Sequence, residues 1–480
     1  MKRQFLLTST PNLPFPEWRT VRTQGAFLHH APELPVLRSA DGSVTIIGFV
    51  IDPNETTASN QQLIDRIATS ARTGLDAALT TCANFGGRWA ILIEKAEFEV
   101  MLHDACGLRQ VFYSDSTLEP AFCASQASTA AKVLALADDV ESVNFLNTKF
   151  ARSREYWWPG DTTRYRGVRC LLPNHYLNLR TRTPTRYGLS QPIGRSSLRV
   201  AAEDGMRDLA NLVRAVAARS PLALPLTAGW DSRAILAACC RAKVRPHAYT
   251  LRFAGYGDSH QDIAISRKLL SRLGLPHQIM DCGATPSDAF RARYRQAVDP
   301  TDDEACAIAE GLARLYPQEC ISLSGHCSEI ARCFYYRNGE THMRMDPETM
   351  ANITGMDATP WVLRQFGQWM AGARDTIAAT GICWLDLFYW EQRAGRWAAN
   401  GQAQWDIVHD RFTPFSYRPL LLKLLSADAV CRAKPYTLYR ELIRAGASEL
   451  LKEPVNPQTT PASRGPLKTM FARVLQTEFS

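Results

Sequence analysis

The alternation of apolar and polar positions divides this chain into strand-length and helix-length pieces. Residues 85–93 and 99–104 alternate in the manner of two strands. The apolar run at 222–226 predicts a third strand. It leads through the small-residue turn Thr227-Ala228-Gly229 into the helix-like Ala234-Ile235-Leu236-Ala237-Ala238. Tyr249-Thr250-Leu251-Arg252-Phe253 reads as the next strand. Residues 262–270 follow as an amphipathic helix, with Gly274 and Pro276 as stop signals. Ile321-Ser322-Leu323 is a further apolar strand ending in a turn with Ser324 and Gly325. Residues 383–397 predict an aromatic-rich helix in which Leu385, Phe388, Tyr389, Gln392 and Trp397 fall near one face, the pattern of a core helix. Asp386, Glu391, Arg393 and Arg396 alternate with that face, where they could point into a cleft. No internal repeat is evident, and the Pro-, Thr- and Ser-rich residues 454–468 read as a surface loop or lid.

The turn after residue 226 carries the strongest chemical signal. Strand, small-residue turn, helix is how a chain offers backbone N–H groups and a positive helix end to phosphate. Thr227 and Ser232 add hydroxyl donors. Asp231 beside a phosphate is repulsive unless a divalent cation lies between them. No Lys is present in the turn, which excludes the common phosphate loop ending in Gly-Lys-Ser/Thr. The plain alternative is an ordinary strand–turn–helix with Asp and Ser near the N-cap.

Residues 226–233 resemble the pyrophosphate loop of ATP pyrophosphatases, usually Ser-Gly-Gly-x-Asp-Ser. Residues 321–329 resemble the second nucleotide-site segment of the asparagine synthetase family, Ser-Gly-x-Gly-x-Asp-Glu. Gly325 keeps the close backbone approach, Cys327 replaces a Gly, and Glu329 stands where the family has its second metal-binding Asp. The likeness extends from about residue 200 to 457, through Leu273-Gly274-Leu275-Pro276-His277, Asp410-Arg411-Phe412-Thr413-Pro414-Phe415 and Leu438-Tyr439-Arg440-Glu441. The N-terminal part is similar to that family's amidotransferase domain, in Asp104-Ala105-Cys106-Gly107-Leu108-Arg109 and in residues 166–177. A working glutaminase of that class needs Cys directly after the initiator Met. This chain reads Met1-Lys2-Arg3, and its first Cys is Cys82, so a scaffold that releases no ammonia is expected.

The resemblance implies an α/β architecture. Residues 1–195 would form a degenerate class II glutamine amidotransferase-like domain, an Ntn-hydrolase-like α+β sandwich. Residues 196–480 would form an ATP-binding, adenylating domain with a parallel sheet of the ATP-pyrophosphatase type. It implies ATP and Mg²⁺ as cofactors. Asp231 and Glu329 would hold the metal; Thr227, Ala228, Gly229, Ser232 and Arg233 would meet the phosphates. Leu226, Leu251, Ser324 and Gly325 would lie against the nucleoside, largely through backbone groups. The family's late Lys aligns on Tyr436, with Lys434 or Arg411 as substitutes, and His409 and Asp410 compete to assist amine deprotonation. Family members without glutaminase chemistry include β-lactam synthetases and lasso-peptide cyclases. The implied activity is therefore an ATP-dependent amide ligase or cyclase acting on a small molecule or peptide that carries a carboxylate and an amine. A protein partner from the same pathway is a possible addition. The alternatives are a catalytically silent nucleotide- or partner-binding protein and an RNA-modifying ATP pyrophosphatase.

Composition narrows this only a little. The chain has 480 residues, 46% hydrophobic and 21% charged, which fits two globular domains. No apolar run approaches the ~20 residues of a membrane span and no signal-peptide core is present, so a cytoplasmic protein is expected. The 13 cysteines are expected to be reduced, buried small side chains. Cys320, Cys327 and Cys333 with His326 form a weak zinc alternative, lacking any Cys-x-x-Cys pair. The net charge is +8, and Arg214, Arg219, Arg233, Arg241, Lys243 and Arg245 cluster in sequence around the first turn. A basic nucleotide pocket is the reading preferred over solvated helix faces or nucleic-acid binding, for which no motif is present.

Overall fold

The computed structural model describes residues 2–457 except 154, 254–255, 284, 299–302, 318, 337–338 and 340–344. Most of the predicted loop at 454–468 therefore lies outside the described residues.

The N-terminal half carries two six-stranded antiparallel sheets. In one, Phe5–Thr8 and Phe27–His30 are paired, with Phe122–Ala124 on the other side of Phe5–Thr8. The other centres on Val44–Ile51, Gly86–Glu94 and Glu99–His103. Residues of one strand alternate between faces, and each face meets a different layer. Ile47, Ala90, Leu92 and Met101 pack against Phe5, Leu7 and Leu28 of the facing sheet. Ile46, Ile91 and Ile93 pack outward on Leu63, Ile64 and Ile67 of the helix Asn60–Thr73. The far face of the first sheet, with Leu6 and Ala124, covers Ala130 of the helix Ala127–Leu134. The order helix, sheet, sheet, helix is the α+β sandwich expected here.

The C-terminal half is built on a five-stranded parallel sheet. Its order is Gln278–Asp281, His247–Arg252, Leu222–Pro225, Ile321–Leu323, Arg411–Phe412. Alternation again assigns the faces. Leu222, Leu224 and Ala248 turn toward the layer of Leu198–Ala217, Trp230–Ala242 and Thr437–Ala447. Ala223, Tyr249 and Leu251 turn toward Asp288–Ala297 and Asp303–Leu315.

The chain runs from Leu222–Pro225 outward to His247–Arg252 and Gln278–Asp281, then returns to the other side of its starting strand for Ile321–Leu323. The two strands that end in the predicted turns are therefore adjacent, with a reversal of strand order between them. In open parallel sheets, ligands bind outside the carboxyl ends of strands at such a reversal.

The two halves share buried charge. Arg88 donates to both oxygens of Asp406 at 2.5 and 2.9 Å, and Asp410 lies 3.6 Å from Arg88 and 3.8 Å from Arg109. Asp104 accepts the backbone N–H of Leu108 at 3.0 Å and of Arg109 at 2.8 Å, and the Ser416 hydroxyl at 2.7 Å. The Asp104–Arg109 turn thus docks the C-terminal half. Among the described residues no helix is long and apolar enough to cross a membrane.

The aromatic-rich segment is helical as predicted, but its middle, Tyr389–Ala398, is wound as π-helix between Trp384–Phe388 and Ala399–Trp405. It is buried on every side. Asp386 pairs with Arg432 at 2.9 Å, Glu391 with Arg186 at 2.7 Å, and Arg393 with Glu155 at 2.9 Å. These three charges, which the periodicity left facing a cleft, instead find partners on distant segments, whereas Arg396 bonds the Thr162 carbonyl.

Candidate functional site

The first turn is ordered by its own polar groups. Gly229 is the N-cap of Trp230–Ala242, and Asp231 and Ser232 enter the helix's first turn. Three consecutive backbone N–H groups are bonded internally: Thr227 to the Ser232 hydroxyl at 3.2 Å, Ala228 to Asp262 at 2.9 Å, Gly229 to the Thr227 hydroxyl at 3.2 Å. The Thr227 and Ser232 hydroxyls lie 3.0 Å apart. Leu226 donates its N–H to the Tyr249 carbonyl and accepts the Thr250 hydroxyl at its own carbonyl, each at 2.8 Å. Leu251 is buried in the adjacent strand.

The second turn folds directly onto the first. A Cβ added to Gly325 would fall 2.6 Å from the Asp231 Cβ, inside any real contact, so only glycine lets the loops meet. Ser324 continues the sheet, donating its N–H to the Phe412 carbonyl at 2.9 Å, and its hydroxyl faces Gln402 at 3.4 Å. Cys327 adopts φ +70°, the left-handed region that glycine enters freely and that costs a side-chain-bearing residue ~1–2 kcal/mol. Cys327 is also fully buried.

This apposition brings Asp231 and Glu329 to one guanidinium. Arg332 lies 2.9 Å from Asp231 Oδ2 and 3.2 Å from Glu329 Oε1, and the Ser328 hydroxyl donates to Asp231 Oδ1. Arg332 also stacks near two rings, 5.6 Å from the Tyr436 centroid and 5.4 Å from that of Tyr439, and Tyr439 donates to the Ser328 carbonyl at 2.6 Å. Tyr436 itself meets Trp230 edge-on at 6.0 Å. Burial raises the Asp231 carboxyl above its usual range; Arg332 acts against this, Glu329 adds to it, and the Ser328 hydrogen bond opposes it. The Arg332 guanidinium, flanked by both carboxylates, is held more firmly protonated than usual.

The carboxylate pair expected to hold Mg²⁺ is thus already neutralised by a fixed cation. Both Asp231 oxygens are engaged, and an ion between Asp231 and Glu329 would have to displace Arg332. In this arrangement the pair does not fit Mg²⁺. Among the described residues no group of three or more His, Cys, Asp or Glu side chains forms a metal position, the Cys320, His326, Cys327 and Cys333 set included.

Other expected residues are placed differently. Arg233 is fully buried, and its guanidinium is occupied by backbone carbonyls. It donates to the carbonyls of Glu453 at 2.7 Å, Pro454 at 2.8 Å and Ala228 at 3.2 Å, tying the C-terminal segment to the helix. Asp410 is drawn into the Arg88–Arg109 cluster, away from any amine-binding role beside Arg411. Arg411 lies one strand further along the sheet, its guanidinium 5.3 Å over Trp405. Lys434 is exposed, and Tyr436 reaches the cluster in its stead. His409 is buried against Tyr316, 4.3 Å between centroids, and burial holds it neutral with its pKa well below the usual value.

The basic cluster around the first turn does not converge on a pocket. Arg219 is bonded to the Val50 carbonyl at 2.7 Å, Arg241 to Glu203 at 2.5 Å, and Arg245 to the Gly274 carbonyl at 2.7 Å. Sequence reasoning missed Arg332 and Tyr439. Their signal was spacing: Arg332 follows Glu329 by three residues, and Tyr439 follows Tyr436 by three, the separations that share a helical face.

No known family model matches the chain, and no curated relative matches it. Among solved structures, the chain is similar to a glutamine phosphoribosylpyrophosphate amidotransferase from B. subtilis complexed with ADP and GMP. The identity is 13% over 76% of this chain and 87% of that one, with a TM-score of 0.22. It is also similar to a structure described as the allosteric regulatory enzyme of purine biosynthesis, at 12% identity over 79% of this chain and 90% of that one, with a TM-score of 0.24. At these scores the likeness carries no argument about fold or activity, and the geometry stands alone.

Proposed function

We propose that this protein binds ATP where the two turns meet and uses it to form an amide bond, activating a substrate carboxylate as an acyl adenylate. The observation that carries the reading is the convergence of two strand-ending turns at the reversal of strand order, where Gly325 and Asp231 are in direct contact. In this reading the Thr227 and Ser232 hydroxyls and the start of Trp230–Ala242 receive the departing pyrophosphate. Arg332 supplies the positive charge beside the phosphates, and Leu226, Leu251 and Gly325 border the nucleoside. The substrate carboxylate oxygen attacks the α-phosphorus, and the bond to the pyrophosphate oxygen breaks. An amine then attacks the acyl carbon, loses a proton, and AMP departs. No step is assigned to Mg²⁺, because Arg332 holds the carboxylates that would bind it.

The amine comes from a small molecule or a peptide rather than from glutamine. In the N-terminal half Cys82, Cys106, Cys123 and Cys170 are all buried, and burial pushes the Cys82 and Cys123 thiols up to about 12, away from the thiolate a glutaminase needs. An intramolecular closure, as in a lasso-peptide cyclase, is the simplest form of such chemistry. A delivering protein from the same pathway is compatible with it.

A second reading, a catalytically silent nucleotide- or partner-binding protein, is favoured by one feature. The N–H groups of Thr227, Ala228 and Gly229, which would cradle a phosphate, are bonded within the fold. Calorimetric titration with α,β-methylene-ATP tests the site, with and without Mg²⁺. Saturable binding lost in a Thr227→Val/Ser232→Ala double variant supports it; absence of binding in the wild type overturns it. Peptides with a free N-terminal amine and an internal Asp or Glu separate the two readings, because only the ligase converts ATP to AMP in their presence.

A further inference from the structure

A cavity of about 200 Å³ lies away from the two turns, between the N-terminal half and the π-helical segment. Its walls include Tyr156, Trp157 and Trp158, and its polar lining includes Gln126, Asn400, Arg396 and Arg164, the last paired with Asp138; among the described residues no Asp or Glu lines it. Cavities of this kind, apolar-walled with a few placed polar groups, are where small molecules bind.

Arg396 is the reason to assign it a ligand. The residue is 4% exposed, and only one of its terminal nitrogens is used well: Nη2 donates to the Thr162 carbonyl at 2.5 Å. Among the described residues Nη1 has no hydrogen-bond partner and no carboxylate pairs with the guanidinium. The Cys170 sulfur lies beside the guanidinium, but burial raises that thiol above its usual value against the lowering effect of Arg396, so it remains a neutral neighbour and supplies no counter-charge. Leaving a buried charged donor unpaired is costly, and proteins do so chiefly where a ligand or water completes the bond. Trp157, in the same lining, holds a second buried donor, Nε1, without an acceptor among the described residues.

Two further features point to the sign of that ligand. Gln126 is the N-cap of the helix Ala127–Leu134 and makes no side-chain cap hydrogen bond, and Ala127 and Ser128 of the first turn line the cavity, so the positive end of that helix faces it. Arg396 itself is carried on the π-helical stretch, a winding frequent at functional sites. It is pinned there because Gly395 packs against Pro173, where a Cβ would come within 2.3 Å.

We infer that this cavity is a binding site for an organic carboxylate borne on a flat apolar group, an aryl-acetic type of acid or the equivalent end of a larger molecule. The carboxylate meets Arg396 and the helix start, Asn400 and Gln126 hydrogen-bond its edge, and the ring lies among Tyr156, Trp157 and Trp158. The inference is independent of nucleotide binding at the other site.

Calorimetric titration of the full chain with phenylacetate, and separately with its neutral isostere phenylacetamide, tests it, with tryptophan fluorescence as a second readout. Saturable phenylacetate binding is expected, with phenylacetamide weaker by about tenfold or more, the scale of one charge-assisted hydrogen bond. Arg396→Met removes the preference. Asn400→Asp, at a residue only partly buried, keeps the fold and weakens the acid selectively by placing a like charge in the cavity. Absence of phenylacetate binding, equal binding of acid and amide, or an Asn400→Asp variant that binds the acid as the wild type does would overturn the assignment.

Discussion

Replacing Arg332 with alanine tests the central electrostatic argument. The change leaves Asp231 and Glu329, 2% and 6% exposed, facing the same space with no cation between them. At about 3 Å and an effective dielectric of ~20, each lost attraction is roughly 5 kcal/mol before desolvation is counted. Removing one partner from a buried ion pair typically costs ~3–5 kcal/mol. The two tyrosine rings add a cation–π loss of about 1 kcal/mol each. The urea midpoint of Arg332→Ala is therefore expected to fall by an amount equivalent to about 5–7 kcal/mol. Adding Glu329→Gln should return part of the loss, because the surviving repulsion is removed. The variant also gains an empty two-carboxylate position. Millimolar Mg²⁺ or Ca²⁺ should stabilise it, by about 2.7 kcal/mol at a hundredfold excess over the dissociation constant, and should leave the wild type unmoved. Wild-type protein stabilised by Mg²⁺ without nucleotide, with that effect lost in Asp231→Asn, would refute the reasoning, since the ion would then be displacing Arg332.

Gly325→Ala should separate the two turns, because its Cβ would sit 2.6 Å from the Asp231 Cβ. A destabilisation of about 1–3 kcal/mol is expected by urea unfolding, together with loss of α,β-methylene-ATP binding; a variant indistinguishable from wild type would contradict the close apposition. His409 gives a pH signature. Burial lowers its folded-state pKa well below the usual 6.5, so below that pH the unfolded chain takes up a proton that the folded chain refuses. Its contribution is fully present above pH 6.5 and declines as the pH falls, by up to ~1.4 kcal/mol per unit. His409→Gln should flatten the acid side of the stability profile measured between pH 7 and 5. An unchanged slope would place the titration on His30, His175, His260 or His277, whose pKa values burial also lowers.

Much of the architecture was legible because its signals are local. Period-two alternation marked residues 85–93 and 99–104, and both form strands, Gly86–Glu94 and Glu99–His103. An apolar run, small residues and then a helical pattern marked residues 222–238, and each piece took that form. Turn residues and short-range periodicity act within one or two turns of chain, so they can be read before the tertiary context is known.

What faces what was decided only by the tertiary structure. Asp231 and Arg332 are 101 residues apart, and no local pattern reports that a strand returns beside its starting point to bring them together. Asp410 is read from the chain as an acid beside Arg411, yet Arg88, more than three hundred residues earlier, turns it into part of the seam between the halves. Arg233 follows the first turn in sequence and serves the carbonyls of residues 453 and 454, as well as that of Ala228, in space. The physical reason is common to all three. A buried charge must find a counter-charge or a set of carbonyls. The fold supplies whichever lies nearest in space, at a separation along the chain that periodicity does not encode.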